Sequence, residues 1–281
     1  MSHIQMIDDG NSLFISSNNV NNTETINAYQ KAKPFPHIVL DDFFPNTVIK
    51  KITHEFPEAN SYANYNNDRE RYKKAYNPDD LKSSYLRSLF YSFNAKPFLT
   101  YLTYLENLTG IPGLIPDPDF NGAGFHEIGT GGHLGIHADF NIHNRLKLKR
   151  RINVLIYLNE SWQEEYGGHL ELWEKDMSKK ALSIAPLMNR CVIFNTESDT
   201  FHGHPDPLKT PKGITRKSIA LYYYTASDAI LDEYRAHSTL FETRENSSDK
   251  RDTKRIVKGS IKDLCPPMIY RKYQEFKSSH K

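Results

Sequence analysis

The segment 132–139, Gly-His-Leu-Gly-Ile-His-Ala-Asp, contains the residue pair with the clearest chemistry, His137 and Asp139. Successive side chains of an extended segment point to opposite sides, so residues two positions apart share a face. An imidazole nitrogen and a carboxylate oxygen can then meet at one point. A second histidine, His202 or His204, would complete a set of two histidines and one carboxylate. Such a set occupies one face of an octahedral Fe(II) ion and leaves the opposite face open.

The spacing of this pair is weak evidence by itself. A second His-x-Asp occurs at His204-Pro205-Asp206, and most such tripeptides lie on protein surfaces without a ligand role. His202 and His204 are also two positions apart, so both of them could face a metal. The spacing therefore leaves the distal histidine open.

Arg216 and Ser218 share one face at the start of the strand-like run Arg216 to Thr225. A forked guanidinium that is always charged, next to a hydroxyl, is suited to bind the far carboxylate of a dicarboxylic acid. The alternative is an ordinary salt bridge at the end of a strand.

The run Arg151 to Asn159 is a predicted strand that places Asn153, Leu155 and Tyr157 on one face. An amide and a phenol inside an otherwise apolar barrel need hydrogen-bond partners, and a bound acid would supply them. The alternative is a structural tyrosine that reaches a backbone group. In the strand that begins near Gly167-Gly168, His169 is assigned to the scaffold.

Length and composition leave room for one large domain or two small ones, with a sizeable core, in a reducing compartment. The chain has 281 residues, of which 38% are hydrophobic, and its 36 basic residues nearly balance 34 acidic ones. The net charge of +2 favours neither nucleic acid nor membrane as a partner. Two cysteines argue against a disulfide framework, and the first residues lack the features of a signal peptide. We expect a cytoplasmic protein.

The pattern along the chain predicts an α+β fold with a mainly β core, a double-stranded β-helix (jelly roll) flanked by N-terminal helices. Residues 1–30 read as a loosely ordered lead-in, 31–240 as the main domain, and 241–281 as a charged loop with a C-terminal helical extension. A strand at 34–40 precedes helices that begin near 45, 79 and 98. Short strands between turns follow at 151–158, 169–173, 190–194 and 216–225.

The basic run at 145–151, Arg-Leu-Lys-Leu-Lys-Arg-Arg, follows the ligand pair. It is interpreted as a solvated connection between strands. The alternative is a positive rim that attracts an acidic substrate.

These parts come in a set order: His-x-Asp, an Arg-led strand ending Tyr-Leu-Asn, a Gly-Gly strand, a distal histidine and Arg-x-Ser. In that order they resemble the Fe(II)/2-oxoglutarate-dependent oxygenase superfamily, and most closely its prolyl 4-hydroxylase-like branch. The entry segment from Pro34 to Pro45 also resembles that branch. The resemblance covers residues 34–225 and is strongest over 122–225.

The resemblance implies that His137, Asp139 and one distal histidine bind Fe(II). It favours His202, because His202-Gly203 followed by Pro207, Gly213 and Arg216 fits the family pattern; His204 is the alternative. It also implies that Arg216 binds 2-oxoglutarate, and the residues assigned to assist it are Ser218, Tyr157 and Asn153.

The implied reaction hydroxylates an unactivated C–H bond and releases succinate and CO2, with ascorbate as a reductant. The expected substrate is a peptidyl residue such as proline, a glycan or a small metabolite, contacted by His204, His126 and Asn141. Two other classes compete with this interpretation: a non-enzymatic metal-binding jelly-roll recognition module and a zinc hydrolase. The Arg-x-Ser element argues against the first, and the absence of a helical His-Glu-x-x-His sequence argues against the second.

Overall fold

The structure is a computed structural model that describes residues 2–18, 23–57, 60–99, 109–227 and 236–249. Its helices are α1 (Thr23–Lys31), α2 (Asn46–His54) and α3 (Ser84–Phe93). Its strands are β1 (Ile4–Asp8), β2 (Leu13–Asn18), β3 (His37–Leu40), β4 (Ala63–Tyr65), β5 (Glu70–Tyr76), β6 (Ile115–Pro116), β7 (Gly124–Ala138), β8 (Lys149–Tyr157), β9 (Leu170–Trp173), β10 (Lys180–Ile184), β11 (Cys191–Asn195), β12 (His202–His204), β13 (Arg216–Thr225) and β14 (Leu240–Phe241).

The main sheet is a curled antiparallel jelly roll, as the sequence predicts. Its strands run in the order β10-β9-β12-β7-β13-β8-β11-β3, so most neighbours in space are not neighbours along the chain. β5 and β14 also pair with β7, β4 pairs with β5, and β6 pairs with β13. The long strand β7 is therefore common to both sides of the roll.

A glycine-rich corner at residues 129–132 allows β7 to pair with strands on both sides of the roll. Before the corner Ile128 pairs with Arg216 of β13, and after it Leu134 pairs with His204 of β12. Gly131 within the corner has φ +76°, which favours glycine. The corner turns one strand from the first side of the roll into the second.

Alternation along β8 separates the outer core from the cavity of the roll. Its outward residues, Ile152, Val154 and Ile156, are buried in the core that contains the helices. Asn153 and Leu155 face inward and line the cavity. The predicted common face of Asn153, Leu155 and Tyr157 matches this arrangement.

The predicted helices are only partly matched in their bounds. In α2 the apolar residues Val48, Ile49 and Ile52 are buried, as predicted. α3 begins at Ser84 rather than near Asp79, because the Ser83 hydroxyl caps it by accepting a hydrogen bond from the Leu86 amide at 3.1 Å. Of the third predicted helix, residues 96–99 are helical. Its continuation over 100–108 lies outside the described residues.

The lead-in is more ordered than the sequence predicts. Within residues 1–30, β1 and β2 form an antiparallel hairpin, and α1 follows it. Ile4, Leu13, Ile15 and Tyr29 are buried in the main core. The expectation of loose structure rested on the many Asn, Ser and Thr residues in this segment. These few apolar residues are enough to attach it.

The predicted boundary between residues 240 and 241 falls within β14, whose two residues pair with Ala138 and His137. Arg244 continues the attachment, with its guanidinium 2.8 Å from the Asp206 carboxylate. The predicted C-terminal helical extension lies outside the described residues. None of the helices in the described parts of the chain combines the length and apolarity needed to cross a membrane.

The hairpin supplies a direct test, because Leu13 is fully buried and its neighbour Phe14 is 44% exposed. Leu13→Ala should lower the free energy of unfolding by about 2–5 kcal/mol through loss of burial and a residual cavity. Phe14→Ala should change it by less than about 0.5 kcal/mol. Equilibrium urea denaturation measures both. Equally small changes in both variants would show that residues 1–30 are loosely ordered, as the sequence predicts.

Candidate active site

Two histidines and one aspartate converge at the end of β7. Potential ligand atoms of His137, Asp139 and His202 all lie within 4.8 Å of one another. The Nε2 atom of His137 is 3.7 Å from Asp139 Oδ1, and Nε2 of His202 is 3.4 Å from Asp139 Oδ2. All three side chains are largely removed from solvent. This is the donor set and spacing that suit a divalent metal with an open coordination face.

The strand register creates this convergence. His202 in β12 lies directly opposite His137 in β7, and the two imidazole centroids are 4.5 Å apart. Gly203 makes this close approach possible, because a Cβ atom there would lie 2.7 Å from the Gly135 carbonyl oxygen. Any side chain at Gly203 would therefore push β12 away from β7.

Backbone carbonyls fix the tautomers of both histidines. Nδ1 of His137 lies 2.8 Å from the Gly135 carbonyl oxygen, and Nδ1 of His202 lies 3.0 Å from that of Thr200. A carbonyl oxygen can only accept, so each Nδ1 carries the hydrogen. Each Nε2 then turns a lone pair toward Asp139. This arrangement prepares both imidazoles to bind a metal.

A second group, Asp117, Asp119 and His143, has similar spacing but the opposite tautomer. Its histidine accepts at Nδ1 a hydrogen bond of 3.1 Å from the Leu146 amide. Nε2 must then carry the hydrogen, 3.3 Å from the Asp117 carboxylate. With a proton on Nε2, His143 has no lone pair to offer a metal there. We interpret this group as structural, with His143 paired to Asp117.

Asp139 is held ionised by its surroundings. Burial by itself would raise the pKa of Asp139, but the charge of the Arg150 guanidinium holds that pKa well below its usual value. The Arg150 guanidinium donates to Oδ2 at 2.9 Å, and the Asn153 amide donates to the same atom at 2.7 Å. A carboxylate that binds a metal must be deprotonated, and this one is.

Arg150 corrects the interpretation of the basic run. It is 2% exposed and its guanidinium stacks 3.5 Å from the centroid of the Tyr222 ring. β8 begins at Lys149, so Arg150 already belongs to the sheet and is no part of a solvated connection or of a positive rim. Arg145 does lie at the surface, where it pairs with Asp119. Sequence reasoning missed Arg150 because it treated seven residues as one unit.

Arg216 lies in the same cavity as the three converging side chains. Its Nε donates to the Gly168 carbonyl at 2.7 Å, and its other end reaches the Tyr157 hydroxyl at 3.3 Å. Burial lowers the pKa of Arg216, and within the described part of the chain no carboxylate pairs with it. A buried cation without a counter-ion is a binding site for an anion. The cavity has a volume of about 310 Å³, enough for a small dicarboxylic acid.

The other residues predicted to bind the cosubstrate have different contacts. Ser218 lines the cavity beside Arg216. Tyr157 is fully buried, and the Arg216 guanidinium lies over its ring at 4.9 Å from the ring centroid. Tyr157 therefore orients the guanidinium. Asn153 accepts hydrogen bonds from Arg150 and donates to Asp139. It therefore supports the carboxylate, a contact that the sequence did not indicate.

Of the predicted substrate contacts, His126 and His204 line the cavity and Asn141 does not. Burial lowers the pKa of His126 to about 3, so its ring is neutral. Burial, and next the charge of Arg216, lower the pKa of His204 well below its usual value. The Asn141 side chain instead accepts a hydrogen bond of 2.8 Å from the His237 amide. Asn141 thus connects two backbone segments outside the lining of this cavity, and its predicted substrate contact stays a prediction.

Several residues that line the cavity were not singled out by sequence reasoning, among them Phe241, Lys73 and Glu70. Phe241 packs against His137 with ring centroids 5.3 Å apart. Lys73 and Glu70 of β5 line the cavity and form an ion pair at 2.9 Å. The alternating run Glu70 to Tyr76 could have indicated a strand, but nothing in the sequence places Phe241 beside His137.

Comparison with known proteins identifies the class. Residues 123–224 match the family described as the 2OG-Fe(II) oxygenase superfamily. The match contains every residue of the converging triad together with Arg150 and Arg216. This segment is therefore a domain of that superfamily, and the protein is an Fe(II)- and 2-oxoglutarate-dependent dioxygenase. No curated protein sequence matches the chain.

Solved structures similar to this chain include two prolyl hydroxylases. One, from Trichoplax adhaerens in complex with a peptide of hypoxia inducible factor, is 16% identical with a TM-score of 0.49; the similarity covers 74% of this chain and 90% of that one. The prolyl-4-hydroxylase of Pseudomonas putida is 15% identical, also at 0.49, over 72% and 100%. HygX of Streptomyces hygroscopicus, bound to nickel, 2-oxoglutarate and hygromycin B, is 11% identical at 0.45, over 79% and 98%.

The tautomer argument predicts which histidines bind metal. His137→Ala and His202→Ala should each abolish tight binding of Co(II), used as a spectroscopic substitute for Fe(II). His143→Ala should leave one site intact, because its Nε2 has no free lone pair. His169→Ala is the matched control, since this imidazole lies 3.1 Å from Glu164 outside the cavity. Loss of the Co(II) absorption bands in His143→Ala would contradict the assignment.

The Arg150 contact predicts a change in the pH dependence of metal binding. The pKa of Asp139 is depressed, so its carboxylate remains available until the pH falls through that low value. In Arg150→Gln the pKa should rise, and Co(II) affinity should therefore begin to fall at a higher pH than in the wild type. We expect an affinity loss of about 10–100-fold at mildly acid pH.

Arg145→Gln is the control for this experiment, because Arg145 is exposed and pairs with Asp119 at the surface. A thermal melt of each variant checks folding. Identical pH profiles for Arg150→Gln and Arg145→Gln would show that Arg150 does not control the charge of Asp139.

Proposed function

We propose that this enzyme hydroxylates an unactivated C–H bond of a substrate held at the mouth of the cavity, with release of succinate and CO2. The observation that supports the proposal is that the converging triad shares one cavity with Arg216, which pairs with no carboxylate among the described residues. A metal alone would not need a buried cation nearby. A dicarboxylic cosubstrate with one end at the metal and the other at Arg216 needs both.

The residues of the cavity have different roles, according to where they lie. His137, Asp139 and His202 would hold Fe(II), which when bound supplies the reaction with oxygen. Arg150 and Asn153 keep Asp139 ionised and fixed in orientation. Arg216, oriented by Tyr157 and Gly168, would bind the far carboxylate of 2-oxoglutarate. The protein thus supplies binding and orientation, and the cofactor supplies the redox chemistry.

The apolar wall of the cavity supports this division. Leu155 and Leu170 line the same cavity as Arg216, and their apolar side chains would limit the access of water to a bound carboxylate. A charge-assisted hydrogen bond is stronger where water is excluded. The wall therefore adds to the affinity of Arg216 for an anion.

The mouth of the cavity is where the substrate would bind. It carries polar and aromatic side chains from β4, β5 and the loops, among them Tyr65, Lys73, Asn121, Phe140 and Thr239. His126 remains a candidate substrate contact. A peptidyl residue such as proline, a glycan or a small metabolite is the proposed substrate class, in the cytoplasm, with ascorbate as a reductant and with neither nucleic acid nor membrane as a partner.

Anaerobic binding of 2-oxoglutarate tests the cavity. Addition of 2-oxoglutarate to the Fe(II)-loaded protein should produce a weak visible absorption band, and titration of that band gives the dissociation constant. Arg216→Gln should weaken 2-oxoglutarate binding by about 10–150-fold, the value of a charge-assisted hydrogen bond, and leave Fe(II) binding unchanged. Arg145→Gln should match the wild type. A wild-type protein that binds Fe(II) but gives no such band would favour the non-enzymatic recognition module.

Measurement of turnover tests the proposed reaction and reduces the number of candidate substrate classes. Succinate release should depend on Fe(II), oxygen and 2-oxoglutarate, and should increase when the correct substrate is present. Peptides that contain proline, free amino acids and sugar nucleotides form the first screen, with mass spectrometry for a gain of one oxygen atom. Product without such a gain would contradict a hydroxylation.

A further inference from the structure

We propose that His204 binds 2-oxoglutarate directly, by donating a hydrogen bond to the carboxylate that Arg216 holds. The inference rests on the proposed function, because it requires the cosubstrate in this cavity. It assigns His204 to the cosubstrate, whereas the sequence suggested a substrate contact or an alternative metal ligand.

The first observation is an unsatisfied imidazole. His204 is 3% exposed, and both its Nδ1 and Nε2 are buried without a hydrogen-bond partner among the described residues. Buried polar groups in folded proteins are normally paired. His126, on the same cavity, differs in that its Nε2 lies 3.1 Å from the Gly122 carbonyl oxygen. His204 thus has two unused polar atoms in a cavity built for a ligand.

The second observation is the position of His204. It follows the metal-facing His202 by two positions in β12, so both side chains point into the roll. Along β7, Leu134, which pairs with His204, lies between His137, which pairs with His202, and Ile128, which pairs with Arg216. His204 therefore lies on the path between the metal ligands and the guanidinium. A dicarboxylic acid that spans this path must pass beside its ring.

Geometry excludes the metal as the partner of His204. The donor atoms that converge belong to His137, Asp139 and His202, and His204 is not part of that group. Register gives the reason: His202 lies opposite His137, whereas His204 lies opposite Leu134 beyond an irregularity in the pairing. The ring is displaced along β7, away from the ligands and toward Arg216.

The chemistry suits a carboxylate. In either neutral tautomer an imidazole presents one N–H donor, and a carboxylate oxygen accepts it. Arg216 uses its Nε for the Gly168 carbonyl and one terminal nitrogen at the Tyr157 hydroxyl. Its remaining N–H groups cannot occupy every lone pair of a bound carboxylate. His204 can take one of those left over.

The test compares three variants for Fe(II) affinity and for anaerobic 2-oxoglutarate affinity, the latter by both calorimetry and the absorption band. His204→Leu should weaken 2-oxoglutarate binding by about 10–150-fold, as expected for a hydrogen bond to a charged group. His204→Gln, whose amide can donate, should recover part of that loss. His169→Gln should behave as the wild type. Fe(II) affinity should be unchanged in all three, with thermal melts confirming the fold.

Each outcome either supports or overturns the role of His204 in binding 2-oxoglutarate. Wild-type 2-oxoglutarate affinity in both His204 variants would overturn the inference, and loss of Fe(II) binding would make His204 a metal ligand instead. If His204→Leu does not fold, His204→Gln decides: unchanged 2-oxoglutarate affinity there overturns the inference, and a reduced affinity with intact Fe(II) binding supports it. Failure of the wild type itself to bind 2-oxoglutarate would overturn the proposed function, a result that the His204 variants cannot imitate.

Discussion

A buried, ionised carboxylate is the most demanding group in this protein, and the site is built around Asp139. An isolated charge removed from water costs so much that it must be paired or neutralised. Arg150 supplies the pairing at 2.9 Å, but it brings a second buried charge that also needs support. The rings of Tyr222 and Phe140, with guanidinium-to-centroid distances of 3.5 and 4.6 Å, provide it. Aromatic residues outside the ligand set are therefore part of the metal site.

The two buried arginines of the cavity show how the same residue type serves two purposes. Arg150 is satisfied within the protein by Asp139 and Asn153. Among the residues that the structure describes, Arg216 has two neutral partners, the Gly168 carbonyl and the Tyr157 hydroxyl, which fix its direction without cancelling its charge. The first arginine stabilises a ligand of the metal, and the second is left available for an anion. The difference lies in the charge of the partners, since both guanidinium groups are buried.

Much of the site could be predicted from the sequence because strand alternation is local. It placed His137 with Asp139, and Asn153 with Tyr157, on common faces. Alternation could not choose between His202 and His204, since both point inward. That choice depends on which of them lies opposite His137, and register across two strands 65 positions apart along the chain is a tertiary property.

Other features were hidden for different physical reasons. Arg150 lay in a run of similar charges, where composition conceals the one residue that the sheet buries. In the lead-in, polar composition outweighed the apolar residues at Leu13 and Ile15 that attach it to the core. Asn141 is close to the ligands in sequence, yet its hydrogen bond to residue 237 turns it toward the backbone. In each case a contact between distant parts of the chain determines where the residue lies, and the local sequence does not reveal that contact.

The elements that hold the metal are distinct from those that would select the substrate. The triad and Arg216 lie on β7, β12 and β13 or directly beside them, in the centre of the roll, where register leaves little freedom. The partly exposed lining residues, which form the mouth, include Tyr65 and Lys73 of the β4–β5 hairpin and residues around Asn121 and Thr239. None of these side chains belongs to the metal-ligand set, so they can change without altering the donor atoms. A fixed chemical centre with an adaptable mouth is the physical reason that one fold serves many substrates, and why fold and ligand set alone do not identify this one.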